Sequence, residues 1–273
     1  MSVIRSLDQL AAAVPDGAKL AIPADYSGVA MAATAALIRR GVKRLHLVCV
    51  PVSGLQADML IGAGAVETIE TSAVTLGEFG PAPRFVDAVR CGAIRLKDAT
   101  CPAIHAALQA SEKGIPFMPL RGIVGSDLLA NRSDWKLIDN PFDANDRIVA
   151  LPAIKPDVAL FHAPLADRDG NVWIGRHREL MTMAHASKAT LVTVEDIRDE
   201  SLLADEAMAA GVIPALYISG VAEAKRGARP LGLWDRYGSE DEFLRAYVER
   251  AATRDGFNRV LADWLGRPAV AAE

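Results

Sequence analysis

The segment KLAIPADYSGVAMAATAALIRRGVKRLHLVCV, residues 19–50, carries the clearest signal for the architecture. Lys19–Ile22 is a short apolar run, and a loop containing Pro, Ser and Gly follows it. Val29–Arg40 is Ala-rich and helical in character, Gly41 stops it, and Arg44–Val50 returns to a short apolar run with β-branched residues. The order predicts a β-α-β unit. The stretch from Leu20 to Ile38 is long enough to raise the question of a membrane span, but Pro23, Asp25, Ser27 and Gly28 interrupt it at one end.

Outward from that unit the same alternation continues. Residues 2–13 carry Val3, Ile4, Leu7, Leu10 and Ala11 at helical spacing, and Asp16-Gly17 turns the chain into the first strand. Downstream, the pattern predicts a helix at Leu55–Ala63, a strand at Val66–Glu70, a helix at Arg84–Cys91 and a short strand near Ile94. A helix at Pro102–Lys113 follows, capped by Thr100 or Cys101 and ended by Gly114. Ala130–Asp146 is polar and irregular and reads as a flap or a partner-binding loop rather than a domain linker. Beyond it, Arg147–Leu151, Asp157–His162, Val172–Ile174 and Ala189–Val194 read as strands and Arg178–Ala186 as a helix. Glu240–Leu265 reads as helical with a break at Gly256. Short strands separated by helices predict an α/β fold: a mostly parallel sheet covered on both faces, built by residues 1–273 as a single domain. In such sheets ligands sit at the loops that follow the strands' carboxyl ends.

Composition sets the outer limits. Of 273 residues, 51% are hydrophobic and 23% charged, which excludes disordered, collagen-like and disulfide-scaffold classes. A net charge of −4 offers no basic field for phosphate backbones, so nucleic acid is not an expected partner. Cys49, Cys91 and Cys101 form an odd set without CxxC spacing, arguing against disulfides and structural zinc and for a reducing compartment. The N-terminal SVIRSLDQLAAAV contains Arg5 and Asp8 and lacks the uncharged core of a secretory signal, so a cytoplasmic location is expected, with no membrane association.

Several chemistries fail on spacing. Gly62-Ala63-Gly64 meets Glu67 where a dinucleotide fingerprint needs its third glycine, and no GxSxG window exists for a serine hydrolase. Asp167-Arg168-Asp169-Gly170-Asn171 has its glycine too early for a calcium loop and reads as a hairpin turn. His46, His105, His162, His177 and His185 are dispersed, and no metal site is expected. His162 ends a strand and reads as a satisfied structural residue before a site residue; His46 reads as packing. Cys101 reads as a buried small hydrophobe rather than a helix-activated thiol.

The most informative segment is Gly114–Leu128, GIPFMPLRGIVGSDL. Gly122 and Gly125 flank Ile123 and Val124 ahead of an expected helix, with Ser126 or Asp127 at its start, so the backbone there can approach a ligand closely. Arg121 stands at the entrance, where a guanidinium could pair bidentately with a substrate carboxylate. A glycine-rich turn with a surface arginine explains the same spacing equally well.

Four pieces resemble, in order and spacing, the A (α) subunit of family I coenzyme A transferases, the group of glutaconate CoA-transferase and the 3-oxoacid transferases. They are Asp16–Ile22, Gly114–Ser126, Asp157–Val172 and Met181–Ile197, and together they span about two thirds of the chain. The resemblance implies a three-layer α/β/α fold and a homologous B subunit, in an αβ or α2β2 assembly, with the active site between them. It implies acyl-CoA and a carboxylic acid as substrates, coenzyme A entering only as a thioester, and no permanently bound cofactor. It also implies covalent exchange: a glutamate attacks the thioester to give a mixed anhydride, CoA thiolate converts that to a glutamyl thioester, and a second carboxylate collects the CoA. In heteromeric members that glutamate lies in an SENG-like motif of the B subunit. This chain has no Glu-Asn-Gly, so no nucleophile is assigned to it.

The implied share of this chain is substrate or CoA contact from Gly28, Gly54, Arg121, Gly122, Ile123, Val124, Gly125 and Ser126, with Arg121 as a supporting residue. Asp167, Gly170 and Asn171 match a family turn, and Glu195-Asp196 a family acidic pair with a structural or interfacial role. Two departures stand out. Where the family usually shows GGFG, this chain has Pro23-Ala24-Asp25-Tyr26, with Gly28 later. Arg121 resembles a branch that hydrolytically opens steroid-derived rings carried on CoA, yet the position matching that branch's glutamate is Cys101. The alternatives to a transferase are therefore a CoA-dependent hydrolase opening a cyclic diketone and a divergent, non-catalytic ligand-binding subunit.

Overall fold

In the computed structural model, which describes residues 3–266, a capping box starts the first helix: Ser6 Oγ accepts from the Gln9 N–H and Gln9 accepts from the Ser6 N–H. The elements that follow are α1 (Leu7–Ala12), β1 (Lys19–Pro23), α2 (Met31–Arg40), β2 (Leu45–Val50), α3 (Leu55–Gly62), β3 (Val66–Thr71), α4 (Pro83–Arg90), β4 (Arg95–Asp98) and α5 (Cys101–Glu112). Next come β5 (Phe117–Leu120), α6 (Leu128–Asn131), β6 (Lys136–Asn140), β7 (Asp143–Pro152), β8 (Val158–Asp167) and β9 (Val172–Trp173). The last are α7 (Arg178–Ala186), β10 (Ala189–Arg198), α8 (Glu206–Ala209), β11 (Val212–Ile213), β12 (Gly220–Glu223), α9 (Asp241–Arg250) and α10 (Arg254–Gly266).

The β1-α2-β2 unit forms as its sequence predicts. Gly41 ends α2 in the left-handed conformation and returns its N–H to Leu37 and Ile38, a geometry that favours glycine. β1 then pairs in parallel with β2, from Lys19↔His46 to Pro23↔Val50. Parallel pairing runs on through β3 and β4 on one side and through β8, β10 and β12 on the other. β9 joins the far half of β8 antiparallel, on the edge that the shorter β1 leaves, and β11 pairs with β9. Side chains alternate across this sheet. Leu20, Ile22, Leu47 and Cys49 pack with Leu10, Leu37 and Leu60 from α1, α2 and α3. Ala21, Val48, Val50 and Phe161 pack with Ile104, Leu108, Leu180 and Met183 from α5 and α7. The result is the three-layer α/β/α arrangement. Outside α2 and α3, Tyr247, Phe257 and Trp264 of α9 and α10 cover Met31, Leu55 and Met59; fully burying a ring such as Phe257 contributes about 1.5–3 kcal/mol.

Five expectations change. The first helix begins at Leu7 rather than residue 2, because Ile4 forms a parallel bridge to Val221 beside β12; residue 2 itself lies outside the described residues. Ala130–Asp146 is ordered: most of it forms the β6–β7 hairpin of a separate antiparallel sheet, β5-β7-β6, and its polar sequence reflects exposure. The helix after the glycine loop is the single turn α6. β8 and β10 run on to Asp167 and Arg198, since they pair with each other along their whole length. The C-terminal break falls at residues 251–253, and Gly256 lies inside α10, where a Cβ would stand 1.9 Å from the Arg250 carbonyl oxygen.

One buried carboxylate ties the segment after β12 to the sheet. Glu195 Oε1 accepts from Tyr237 Oη (2.6 Å) and the Gly227 N–H (3.1 Å) and lies 2.8 Å from His162 Nε2; Oε2 accepts from the Arg226 N–H at 2.7 Å. Burial pushes the Glu195 carboxyl up, but these partners outweigh it and hold the pKa at about 2. With Glu195 ionised, His162 Nε2 carries the proton, and burial keeps the ring neutral, its pKa lowered against the pull of Glu195. His162 Nδ1 meets Thr193 Oγ1 at 2.8 Å, so the histidine is the satisfied structural residue its position predicts. Both shifts make the fold acid-sensitive: the unfolded chain binds more protons below about pH 6.5 for the histidine and about 4.5 for the glutamate. Glu195→Gln should therefore cost about 1–3 kcal/mol at pH 7. Denaturant melts of variant and parent should converge as pH falls toward about 2; a constant difference across that range would contradict the assignment.

Candidate functional site

The carboxyl ends of β1, β2 and β3 open into a cavity of about 580 Å³, closed over by residues 231–239. This is where a parallel sheet places its variable loops and its ligands. Asp25 and Tyr26 enter it from the loop after β1, Ser53 from the loop after β2, and Thr75 from the loop after β3. Trp234, Arg236 and Tyr237 come from the far wall.

Asp25 is the chemically distinctive member. Its Oδ2 accepts from the Leu55 N–H at 2.9 Å, at the start of α3, while Oδ1 has no hydrogen-bond partner. Burial raises its pKa to about 7, with the neighbouring Asp58 adding to the shift and the Leu55 and Gly54 N–H groups opposing it. The carboxyl thus changes charge in the neutral range and can hold or release a proton there. Gly54 explains itself against this group, because a Cβ would lie 2.2 Å from Asp25 Oδ2 and 2.5 Å from the Thr75 carbonyl oxygen. Cys49, behind the site, is pushed up to about 12 by burial and is inert.

The opposite wall is fixed by aromatic contact. The Trp234 ring lies 3.9 Å from that of His177, whose Nδ1 is 3.1 Å from Glu179 Oε1; Ser27 Oγ donates to the same oxygen at 2.5 Å. Gly28, at φ +72°, lets this wall close in: a Cβ would stand 2.1 Å from the His162 carbonyl oxygen and 2.9 Å from the Trp234 ring. Arg236 is held by Asp196 at 3.2 Å and reaches the Pro164 carbonyl at 3.4 Å. The acidic pair is accordingly divided, with Glu195 bracing the fold and Asp196 holding the arginine and Lys225.

Of the residues that sequence singled out, Gly28 and Gly54 therefore stand beside the cavity, as places where a side chain would not fit. Arg121 and Gly122 line a different feature, a groove of about 780 Å³ on the small antiparallel sheet, with Phe117 and Phe142. Arg121 is 70% exposed and already engaged, donating from Nε and Nη2 to both carboxyl oxygens of Asp146. Within the loop Ile123 is buried, Val124 is exposed, Gly125 takes φ +80°, and Ser126 Oγ accepts from the Leu128 N–H. Cys101 is exposed, correcting the expectation of burial: it lies off the stripe Ala103, Ala107 and Ala110 that α5 buries, and its Sγ is 3.1 Å from Ser72 Oγ. Asp167 accepts from the Asn171 and Leu202 N–H groups, the turn role expected of it. His46 is half-buried, 3.5 Å from Glu70.

Sequence reasoning missed Trp234, Arg236 and Tyr237. The run WDRYGS, aromatic and charged residues interleaved between a strand and a helix, was the available signal. Asp25 was visible only as a departure from GGFG. Among the described residues no three His, Cys, Asp or Glu side chains converge on a metal position, and no helix is long and apolar enough to cross a membrane.

Comparison with known proteins gives the site its context. The family model described as Coenzyme A transferase matches residues 4–224. The chain is 31% identical over 259 residues to the A subunit of 3-oxoadipate CoA-transferase from Pseudomonas knackmussii, covering 92% of this chain and 89% of the relative. The A subunit of glutaconate CoA-transferase from Acidaminococcus fermentans is 30% identical over 230 residues, covering 76% and 70%. The solved structure of that organism's glutaconate coenzyme A-transferase superposes with a TM-score of 0.90 at 26% identity, over 97% of this chain and 89% of that one. The IpdA subunit of the cholesterol ring-cleaving hydrolase of Rhodococcus jostii is 27% identical over 248 residues, covering 86% and 82%. With its sheet, its strand-end cavity and four fifths of its length matched by the family model, this chain belongs to the coenzyme A transferase family.

Proposed function

We propose that this chain is the A subunit of a heteromeric acyl-CoA:carboxylate CoA-transferase, acting in the cytoplasm, and that its strand-end cavity receives the acyl group. The observation that carries the reading is the combination of a strand-end cavity that no glutamate of this chain lines and a sequence with no Glu-Asn-Gly, in a chain of this family. Two relatives are named as A subunits of transferases, which supports a partner in the form of a homologous B subunit. Free Cys49, Cys91 and Cys101 support a reducing compartment.

In this reading the partner's glutamate attacks the thioester carbonyl, the C–S bond breaks, and a mixed anhydride forms with CoA thiolate leaving. The thiolate then attacks the glutamyl carbonyl and releases the first acid, giving a glutamyl-CoA thioester. A second carboxylate attacks that carbonyl, and the returning thiolate takes the new acyl group and frees the glutamate. Coenzyme A passes through as substrate, and no resident cofactor takes part. This chain supplies walls. Gly28 and Gly54 act by omission, leaving room for Trp234 and Asp25, while Arg121 and Gly122–Ser126 contribute a loop toward the pantetheine arm or the partner.

The pair, and not this chain alone, should exchange CoA between carboxylates with ping-pong kinetics, seen as parallel double-reciprocal lines. Borohydride added with acyl-CoA should reduce a glutamyl thioester on the partner and leave this chain's mass unchanged. Turnover by the isolated chain, or CoA release that needs water and no acceptor acid, would defeat the transferase assignment; so would water opening the ring of a cyclic-diketone acyl-CoA to a new carboxylate with the thioester intact, which would favour ring-opening hydrolysis. Gly54→Ala places a methyl against Asp25 and Thr75 and should raise the pair's KM for the thioester at least about 10-fold, with circular dichroism unchanged.

A further inference from the structure

The chain carries one half-buried acid, with an enclosed carboxyl oxygen, that the fold does not use. Asp25 sits in the loop after β1 and lines the cavity. One oxygen is fixed by the α3 N-terminus, and the other has no partner at all. A buried polar oxygen left unpaired is destabilising, and such a group calls for an explanation. The cavity's other polar groups do not satisfy it. Arg236, the one lysine or arginine among the lining residues, is turned to Asp196, and the Tyr237 hydroxyl donates to Glu195.

We propose that Asp25, in its protonated form, is the specificity-determining residue of the acyl pocket, donating a hydrogen bond to an uncharged carbonyl oxygen in the tail of the bound acyl group. The proposal rests on the reading of this cavity as the acyl site. The ligand class follows from the surroundings. Trp234, Leu231, Leu233 and Phe79 give the cavity an apolar body, and no unengaged cation of this chain lines it, so this chain offers an anionic tail no counter-charge. A neutral acceptor needs only a donor. The Asp25 carboxyl has the proton to give below neutral pH, where burial keeps it neutral. Its terminal Cβ–Cγ torsion is soft, and in this proposal the carboxyl turns about it to bring the unpaired oxygen, enclosed in the unliganded chain, to the ligand.

The titratable groups packed around Asp25 are engaged elsewhere in the fold or shifted by burial. Asp58 on α3 is buried and raised in pKa, with oxygens accepting from Phe85 N–H and Tyr247 Oη. The Cys49 thiol at the end of β2 stays neutral to about pH 12, and burial raises Tyr237 far above neutrality. Asp235 and Arg236 line the same cavity, Arg236 in contact with Asp196.

The test uses the complex with its B subunit and two unreactive thioethers of equal length, S-(4-oxopentyl)-CoA and S-pentyl-CoA, with dissociation constants measured at pH 6 and pH 8.5. The parent should prefer the oxo ligand about 10-fold at pH 6 and lose most of that preference at pH 8.5, once Asp25 has ionised. Asp25→Asn, whose amide donates at every pH, should keep the preference at both; Asp25→Leu should lose it at both, with thermal melts verifying that each variant folds. Equal binding of the two ligands by the parent, or a preference that survives in Asp25→Leu, overturns the proposal and leaves the transferase reading intact. Failure of the parent to bind either thioether removes the acyl-site reading and the proposal with it.

Discussion

The carboxylate of Glu195 is the point on which the site depends. It collects the Tyr237 hydroxyl, two consecutive backbone N–H groups and the His162 ring around one buried charge. Breaking any one of those bonds would leave charge uncompensated in a region water does not reach. The carboxylate sits on β10, its histidine on β8, and its other partners in the segment that follows β12. The far wall of the cavity is therefore anchored to two central strands, although by sequence it is an irregular stretch of residues 224–239. A ligand pocket with one wall of loops needs such an anchor, because loop backbone alone does not hold side chains within the tolerance that binding requires.

Around that anchor, steric omission does as much as contact. Gly28 and Gly54 touch no ligand, yet a single methyl at either would collide with backbone or side-chain atoms that define the cavity. Gly227 adds a third case, since a Cβ there would lie 2.6 Å from the His162 ring. The loops after β1 and β2 can thus close on one another and on Trp234, and Asp25 is pressed into an environment poor in water. Its raised pKa follows from this crowding and not from a charged neighbour in the first place.

The second region, with Arg121 and the glycine turn, belongs to the small antiparallel sheet inserted between α5 and β8. Its arginine is spent on Asp146, and burial of Ile123 turns the loop's middle inward. Large apolar side chains face outward there beside the charged ones, with Phe142 95% exposed and Phe117, Val124 and Leu137 partly so. The fold accordingly separates two tasks, a pocket at the strand ends and an exposed loop sheet, that the linear sequence runs together as one glycine-containing theme.

Local chemistry along the chain was enough to set the parallel α/β framework, because helix caps such as Gly41 and Thr100 and the period of apolar residues act over a few positions. It was enough for the family too, through four segments whose order survives without any folding. It left open which residues meet. The β6–β7 hairpin looked irregular because an exposed sheet has no apolar period to read, and Cys101 looked buried because residue type alone ignores which stripe a helix turns inward. Residues 25, 54 and 234 come together only when parallel strands align their carboxyl ends and a distant segment folds over them. Burial is a property of that assembly. An aspartate with an ordinary pKa in the extended chain becomes a neutral-range acid only in the fold, since desolvation depends on neighbours that the sequence separates by as many as two hundred residues.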